Sequence, residues 1–260
     1  MGSTVDLVAD IGESFGSWTM GDDAHILRTL TSANIACGFH AGDPRTMKRS
    51  IELCLEHDVS IGAHPSFPDL VGFGRRAMEL SREEIATDVI YQVGALQAFA
   101  RTAGTEVRHV SPHGRLGTLV GTDPHYAKGV ADAIEQIAAN GPTLTLLTMT
   151  GELEREAHAR GLPVVVYGLV DRNLEDDGTL VSRRDPEALV HDEDALVERA
   201  LSMVLDGSVT SRHGKRVEVT CDSLLMHGDH PSSVRTAERI RAALEEAGVE
   251  IAPFARPTAG

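Results

Sequence analysis

Along this chain, short runs of small and branched apolar residues alternate with longer segments whose apolar positions recur at helical spacing. The first kind suits strands buried on both faces, the second helices with one buried stripe. The runs predict strands over Val5–Ile11, Ser32–Gly38, Val59–Ala63, Val107–Val110, Leu144–Met149, Val164–Val170 and Val217–Met226. The periodic segments predict helices over Asp22–Leu30, Pro44–His57, Arg82–Ala103, Pro124–Asn140, Glu152–Arg160, Pro186–Leu205 and Ser232–Ala247. Start signals support these helices. Asp43-Pro44, Asp123-Pro124 and Asp185-Pro186 each join an N-cap to a proline at the first turn, and Ser81 with Glu84 reads as a capping box. Gly104 and Gly161 sit where helices should stop.

Strict alternation of strand and helix predicts a parallel sheet with helical crossovers. Seven units without an intervening linker point to an α/β fold closed as a seven-stranded parallel β/α barrel. One domain is expected over residues 1–253, with a loose tail over 254–260 that carries Pro257 and directly follows Pro253. The charged, glycine-containing stretch from Asp171 to Asp194 reads as a mobile loop over the site.

Composition narrows the partners. A formal net charge of −15 argues against nucleic acid or an anionic membrane as a ligand, since both need a basic face. No apolar run approaches the ~20 residues of a membrane helix. The N-terminus lacks a signal-peptide pattern. Three cysteines at unrelated spacings, with no CxxC, suit a reduced, cytoplasmic protein.

In such a fold the chemistry gathers at the carboxyl ends of the strands. Strand 1 ends in Asp10-Ile11-Gly12-Glu13, strand 2 runs through Asn34 to His40 and Asp43, and strand 3 ends in His64-Pro65. Strand 4 leads to His113, strand 6 to Asp171-Arg172, and strand 7 to His227-Gly228-Asp229. Asp10, His40, His64, His113, Asp171 and His227 are therefore the candidate catalytic residues. Imidazole with carboxylate serves either general acid–base chemistry or a divalent metal, for which His40, His64, Asp10 and His227 are the candidate ligands. Arg75, Arg76 and Arg172, with Asn34, are the candidate anion- and substrate-binding residues. Asp43 serves equally as an N-cap or a site residue, and Glu13 is evenly balanced between a site and a structural role. Neither a Gly-x-Ser-x-Gly elbow nor a Walker A loop is present.

Three long blocks carry a resemblance: Asp10-x-Gly12-Glu13-Ser14-Phe15-Gly16, Asn34 through Asp43, and Gly62-Ala63-His64-Pro65-Ser66-Phe67-Pro68-Asp69. Together with Gly72-Phe73-Gly74-Arg75-Arg76, Tyr91-Gln92-x-Gly94-Ala95-Leu96 and His227-Gly228-Asp229, they resemble the LamB/YcsF family in order over nearly the whole chain. The resemblance implies a barrel similar to the glycoside hydrolase/deacetylase fold. It also implies an ATP-dependent opening of the lactam of 5-oxoproline to L-glutamate, in which this chain is the A-type component beside B- and C-type partners. Several polar positions of the family differ here. Its strand-1 asparagine is Val8, its lysine before Pro-His-Gly is Ser111 and the tyrosine after is Gly117. A glutamate ahead of Asp171-Arg172 is Tyr167, and a tyrosine after them is Leu174. The loss of a lysine and a glutamate leaves two other readings open: a metal-dependent hydrolase or deacetylase acting alone, and a divergent non-catalytic binding protein. A homo-oligomer is compatible with all three.

Overall fold

Strand β1 (Thr4–Ile11) sends alternate side chains to two environments. Val5, Leu7, Ala9 and Ile11 join the large core beneath the helices. Val8 instead packs inside the barrel with Leu147 and Leu225, where Tyr167 and Phe254 lie against them. Asp6 and Asp10 share its parity and are also buried. The computed structural model, which describes residues 3–226 and 233–255, places β1 between two parallel neighbours, β2 (Ser32–Ala36) and β9 (Ser223–Met226). From β2 the sheet continues through β3 (Ser60–His64), β4 (His109–Val110), β5 (Thr145–Thr148) and β6 (Val164–Leu169) to β9. The β1–β9 pairing closes it into the expected seven-stranded parallel barrel.

The crossovers are helical: α1 (Asp23–Ile26), α2 (Pro44–Glu56), α3 (Arg82–Thr102), α4 (Gly114–Thr122), α5 (Pro124–Ala138), α6 (Glu152–Arg160), α7 (Glu193–Leu201) and α8 (Ser233–Glu246). Their caps follow the sequence. Asp43 accepts from the Arg45 and Thr46 N–H groups, Asp123 from His125, and Ser81 and Glu84 exchange both capping-box bonds. Asp185-Pro186 opens only a single 3₁₀ turn, after which the chain runs extended to a second start at α7, capped by Asp192. The expected helix over Pro186–Leu205 is therefore broken. Its extended part is held by main-chain bonds to the segment after β6, Asn173 N–H to Ala188 O and Val190 N–H to Asp171 O.

The run Val217–Met226 is likewise two elements. β8 (Arg216–Glu218) forms an antiparallel hairpin with β7 (Ser208–Thr210), and only β9 enters the barrel. A short β10 (Glu250–Ile251) extends the sheet at the start of β1. Phe254, expected in the loose tail, packs into the barrel interior, its ring centroid 5.1 Å from that of His109. Residues 256–260 lie outside the described residues. Among the described residues no helix is long and apolar enough to cross a membrane.

Candidate active site

The site is built on one row of the barrel. Asp10, Asn34, Gly62 and His109 stand side by side in register across β1 to β4. The Asn34 amide donates to Asp10 Oδ1 at 2.9 Å, and its own oxygen accepts from His109 Nε2 at 2.9 Å. Gly62 makes room for this: a Cβ there would lie 1.9 Å from His109 Nε2. Burial, and then the charge of nearby His64, lower the His109 pKa to about 3, so this imidazole is neutral. The strand-end argument from sequence does not reach His109. The readable signal is its parity with Ser111 in a strand opposite a glycine.

His64, the last residue of β3, stands above this row. Its Nε2 is 3.3 Å from Asp10 Oδ1, and its Nδ1 faces Ser111 O at 2.6 Å. His113, the cap residue of α4, turns Nδ1 to His64 Nε2 at 2.9 Å and Nε2 to Phe73 O at 2.9 Å. His40, from the turn after β2, stacks on His113 with centroids 3.7 Å apart. Its Nε2 reaches Glu13 Oε1 at 3.2 Å, and that same oxygen is 3.5 Å from His113 Nδ1. Glu13, His40, His64 and His113 each bring one ligand-type atom within 4.8 Å of all the others. The structure thus gives Glu13 a place among the histidines that its sequence context leaves undecided.

Neighbouring loops fix these groups. Asp23 accepts from Gly12 N–H at 2.9 Å and Asp43 from Gly16 N–H at 2.8 Å, pinning the loop that carries Glu13 at both ends. Asp43 is therefore both the α2 cap and a loop tie. Asp69 accepts from the Gly72 and Arg76 N–H groups and from the Arg76 guanidinium, shaping a tight turn. The turn holds Phe73 at φ 54°, a costly angle for a bulky side chain, and presents its ring edge-on to His40 and His113. Gly74 follows at φ 64°; a Cβ there would fall 2.1 Å from Ser66 Oγ and 2.9 Å from His113 Cδ2.

Electrostatically the cluster holds one proton more readily than two. Burial works against protonation of His64, but the Asp10 carboxylate and then Glu13 outweigh it and hold its pKa above the ordinary imidazole value. Burial, with the charge of His64, keeps His40 well below it; burial, with His40 and His64, does the same for His113. Positive charge therefore concentrates at His64, between two carboxylates.

The remaining candidates are placed differently. Asp171 follows β6 and is half-buried. Arg172 is buried, and its guanidinium donates to Val181 O at 2.6 Å and to Ala188 O at 3.3 Å. These donors hold the loop after β6, where the sequence leads one to expect them on an anion. Arg76 is committed to Asp69. Arg75 is exposed, its guanidinium carbon 4.9 Å from the centre of the Phe73 ring at the mouth. Of the metal ligands expected from the sequence, His40 and His64 belong to the four clustered groups, Asp10 lies next to them, and His227 lies outside the described residues. Among the positions that depart from the family pattern, Val8 and Tyr167 line the barrel interior, where burial and then Asp10 raise the Tyr167 pKa. Ser111 is buried under His64. Gly117 is closed to any side chain, with Pro112 O 2.4 Å from a built Cβ.

Comparison with known proteins agrees with this geometry. The LamB/YcsF family model matches residues 5–259. The chain belongs to the LamB/YcsF family. It is 45% identical over 252 residues to a 5-oxoprolinase A-type subunit of Pseudomonas syringae, the third so numbered there, covering 96% of this chain and 97% of that one. It is 47% identical over 251 residues to the 5-oxoprolinase A-type subunit of Streptomyces avermitilis, covering 96% and 100%. The crystal structure of the lactam utilization protein from Thermus thermophilus superposes with a TM-score of 0.89 at 42% identity, covering 96% of this chain and all of that one. Family membership and the closed barrel expected from the motifs both hold.

Proposed function

We propose that this chain opens the lactam of 5-oxoproline to L-glutamate, as the A-type component of an ATP-coupled enzyme completed by B- and C-type subunits. The observation that carries the reading is the constellation of buried Asp10, His40, His64 and His113 with half-buried Glu13 at the carboxyl ends of the strands, in a member of this family. The names of its relatives support the substrate and the place in a larger assembly.

A lactam is a resonance-stabilised amide, and water attacks it slowly. Transfer of a phosphoryl group from ATP to the lactam carbonyl oxygen releases ADP and makes the carbonyl carbon more electrophilic. Water then adds to that carbon, the C–N bond breaks, and the ring nitrogen gains a proton. A second water hydrolyses the resulting acyl phosphate to L-glutamate and phosphate. Asp10 takes the proton of the attacking water and returns it to the ring nitrogen, the Asn34 amide holding its carboxylate in place. The positive charge at His64 Nε2 polarises the lactam carbonyl oxygen. Arg75, exposed at the mouth over the Phe73 ring, meets the substrate carboxylate or the phosphate. We place the protein in the cytoplasm, which suits its three free cysteines.

The test is ATP-dependent glutamate formation from 5-oxoproline by this chain mixed with its B- and C-type partners, beside a Ser111→Lys, Tyr167→Glu double variant. Turnover by the natural chain supports the reading. Turnover by the double variant alone, or by the natural chain without ATP or partners, overturns it.

A further inference from the structure

The hydrogen bonds around His64 and His113 fix which nitrogen of each ring carries its hydrogen. A main-chain carbonyl only accepts, so His64 Nδ1 donates to Ser111 O and His113 Nε2 donates to Phe73 O. In the neutral rings, the nitrogens that remain, His64 Nε2 and His113 Nδ1, both present lone pairs. They face each other at 2.9 Å, and Glu13 Oε1 is 3.5 Å from the second of them. Three electron-pair donors converging here repel one another unless a proton or a metal ion lies between them.

The spacing suits a metal. With metal–ligand bonds of about 2.1 Å, the separations of 2.9, 3.2 and 3.5 Å subtend angles at the ion between roughly 85° and 115°, and any wider one within the 4.8 Å cluster must close to about 4.2 Å or less as the ion is bound. That range fits five- or six-coordinate ions as well as tetrahedral ones. The donor set of imidazoles with one carboxylate suits divalent first-row transition metals rather than calcium or magnesium. The outer bonds to Ser111 O and Phe73 O are of the kind that metal-bound histidines make through their other ring nitrogen. Glu13 sits on a loop tied at Gly12 and Gly16, so the donors are held in place before any ion arrives.

We propose that Glu13, His40, His64 and His113 bind one divalent first-row transition-metal ion. The ion supplies the positive charge that the lactam-opening reading assigns to this point, and Asp10, outside the ligand set, stays available for proton transfer. This rests on that reading and deepens it at the same site, and its primary readout is metal binding.

The experiment is titration of chelator-treated protein with Mn²⁺, Co²⁺, Ni²⁺ and Zn²⁺ at neutral pH, followed by calorimetry and, for Co²⁺, by its visible absorption. One equivalent should bind for at least one of these ions, with a Co²⁺ spectrum of nitrogen and oxygen ligation. Glu13→Gln and His113→Asn should each weaken binding by at least about tenfold. His125→Asn, a surface imidazole on α5, should bind as the natural chain does. Circular dichroism of each variant separates lost ligation from lost folding, and Glu13→Gln keeps the shape of the side chain it replaces. No saturable uptake of any of the four ions overturns the proposal, as does binding unchanged in folded Glu13→Gln and His113→Asn proteins. Metal-free protein that turns over lactam with its partners would remove the metal and keep the function. Metal-bound protein without turnover would do the reverse.

Discussion

Asn34 fixes Asp10 from one side and His109 from the other, each through a hydrogen bond of 2.9 Å within a single register row. The amide can satisfy both only in one orientation, nitrogen to the carboxylate and oxygen to the imidazole. Asn34→Ala leaves the buried His109 N–H without its acceptor and Asp10 without the amide donor, at an expected cost of about 1–3 kcal/mol in stability. Because a carboxylate that loses a donor is protonated more easily, the acid limb of the kcat/KM profile should move to higher pH, with kcat down about 10- to 100-fold. Urea denaturation and a pH–rate profile of the assembled enzyme check both effects. A lowered stability with an unmoved acid limb would show that Asn34 only fills space.

Asp6 seals the barrel at its opposite end. One carboxylate oxygen accepts from Thr31 and Ser32, the other from Ser223 of β9. Burial raises its pKa from 3.8 to about 6 despite these bonds. Asp23, half-buried beside Gly12, is raised to about 6 as well, again by desolvation. A carboxyl whose folded pKa exceeds its unfolded one binds its proton more tightly when folded. Stability therefore falls as pH rises from about 4 to about 6 and stays at the lower level above that window, by up to about 3 kcal/mol for each such group. Asn keeps an oxygen for Thr31 and Ser32 and offers an N–H to the Ser223 hydroxyl. Asp6→Asn should thus abolish its share of the fall and match or exceed the natural stability at pH 7, as read by melting temperatures across the pH range. A fall of unchanged depth would refute the burial argument.

Phe73 carries two opposed effects, a ring packed on His40 and His113 and a backbone at φ 54°. Both Phe73→Ala and Phe73→Gly remove the ring, but only glycine relieves the backbone. The glycine variant should be the more stable of the two by about 1 kcal/mol, reversing the usual order in which alanine is the safer replacement. Both should lose activity to a similar degree, since the ring no longer holds the imidazoles. Paired denaturation curves decide it.

Much of the barrel is legible because its strands are two-sided. Val5–Ile11 and Ser32–Gly38 read as buried runs, and their histidine-bearing ends follow from the topology. What stays hidden depends on contacts that no local pattern encodes. α4 contains Gly114, Gly117 and Gly121, a composition that opposes a helix, yet Leu116 and Val120 are buried by it and Gly117 is pressed against Pro112 O. Packing overrides propensity there. Phe254 reads as part of a loose tail after Pro253, and only the closed barrel supplies the apolar interior that takes its ring. Glu13 lies two residues past its strand, where sequence gives no direction; the ties at Gly12 and Gly16 set it.

Arg172 shows how a correct location can carry a different role. The sequence puts a cation at the carboxyl end of β6, where an anion site is expected, and the structure commits that cation to the carbonyls of Val181 and Ala188. Burial lowers its pKa to about 10, which leaves it charged at neutral pH. Arg172→Lys separates the two roles. Lysine keeps the charge but cannot span two carbonyls with a planar fork. An anion site would survive this change with a modest rise in KM. A strut would not: the segment from Asn173 to Val190 should become accessible to limited proteolysis, and the melting temperature should fall by several degrees, about 1–2 kcal/mol of lost hydrogen bonding. A variant with natural proteolytic resistance and a raised KM for substrate would restore the anion-binding role to Arg172.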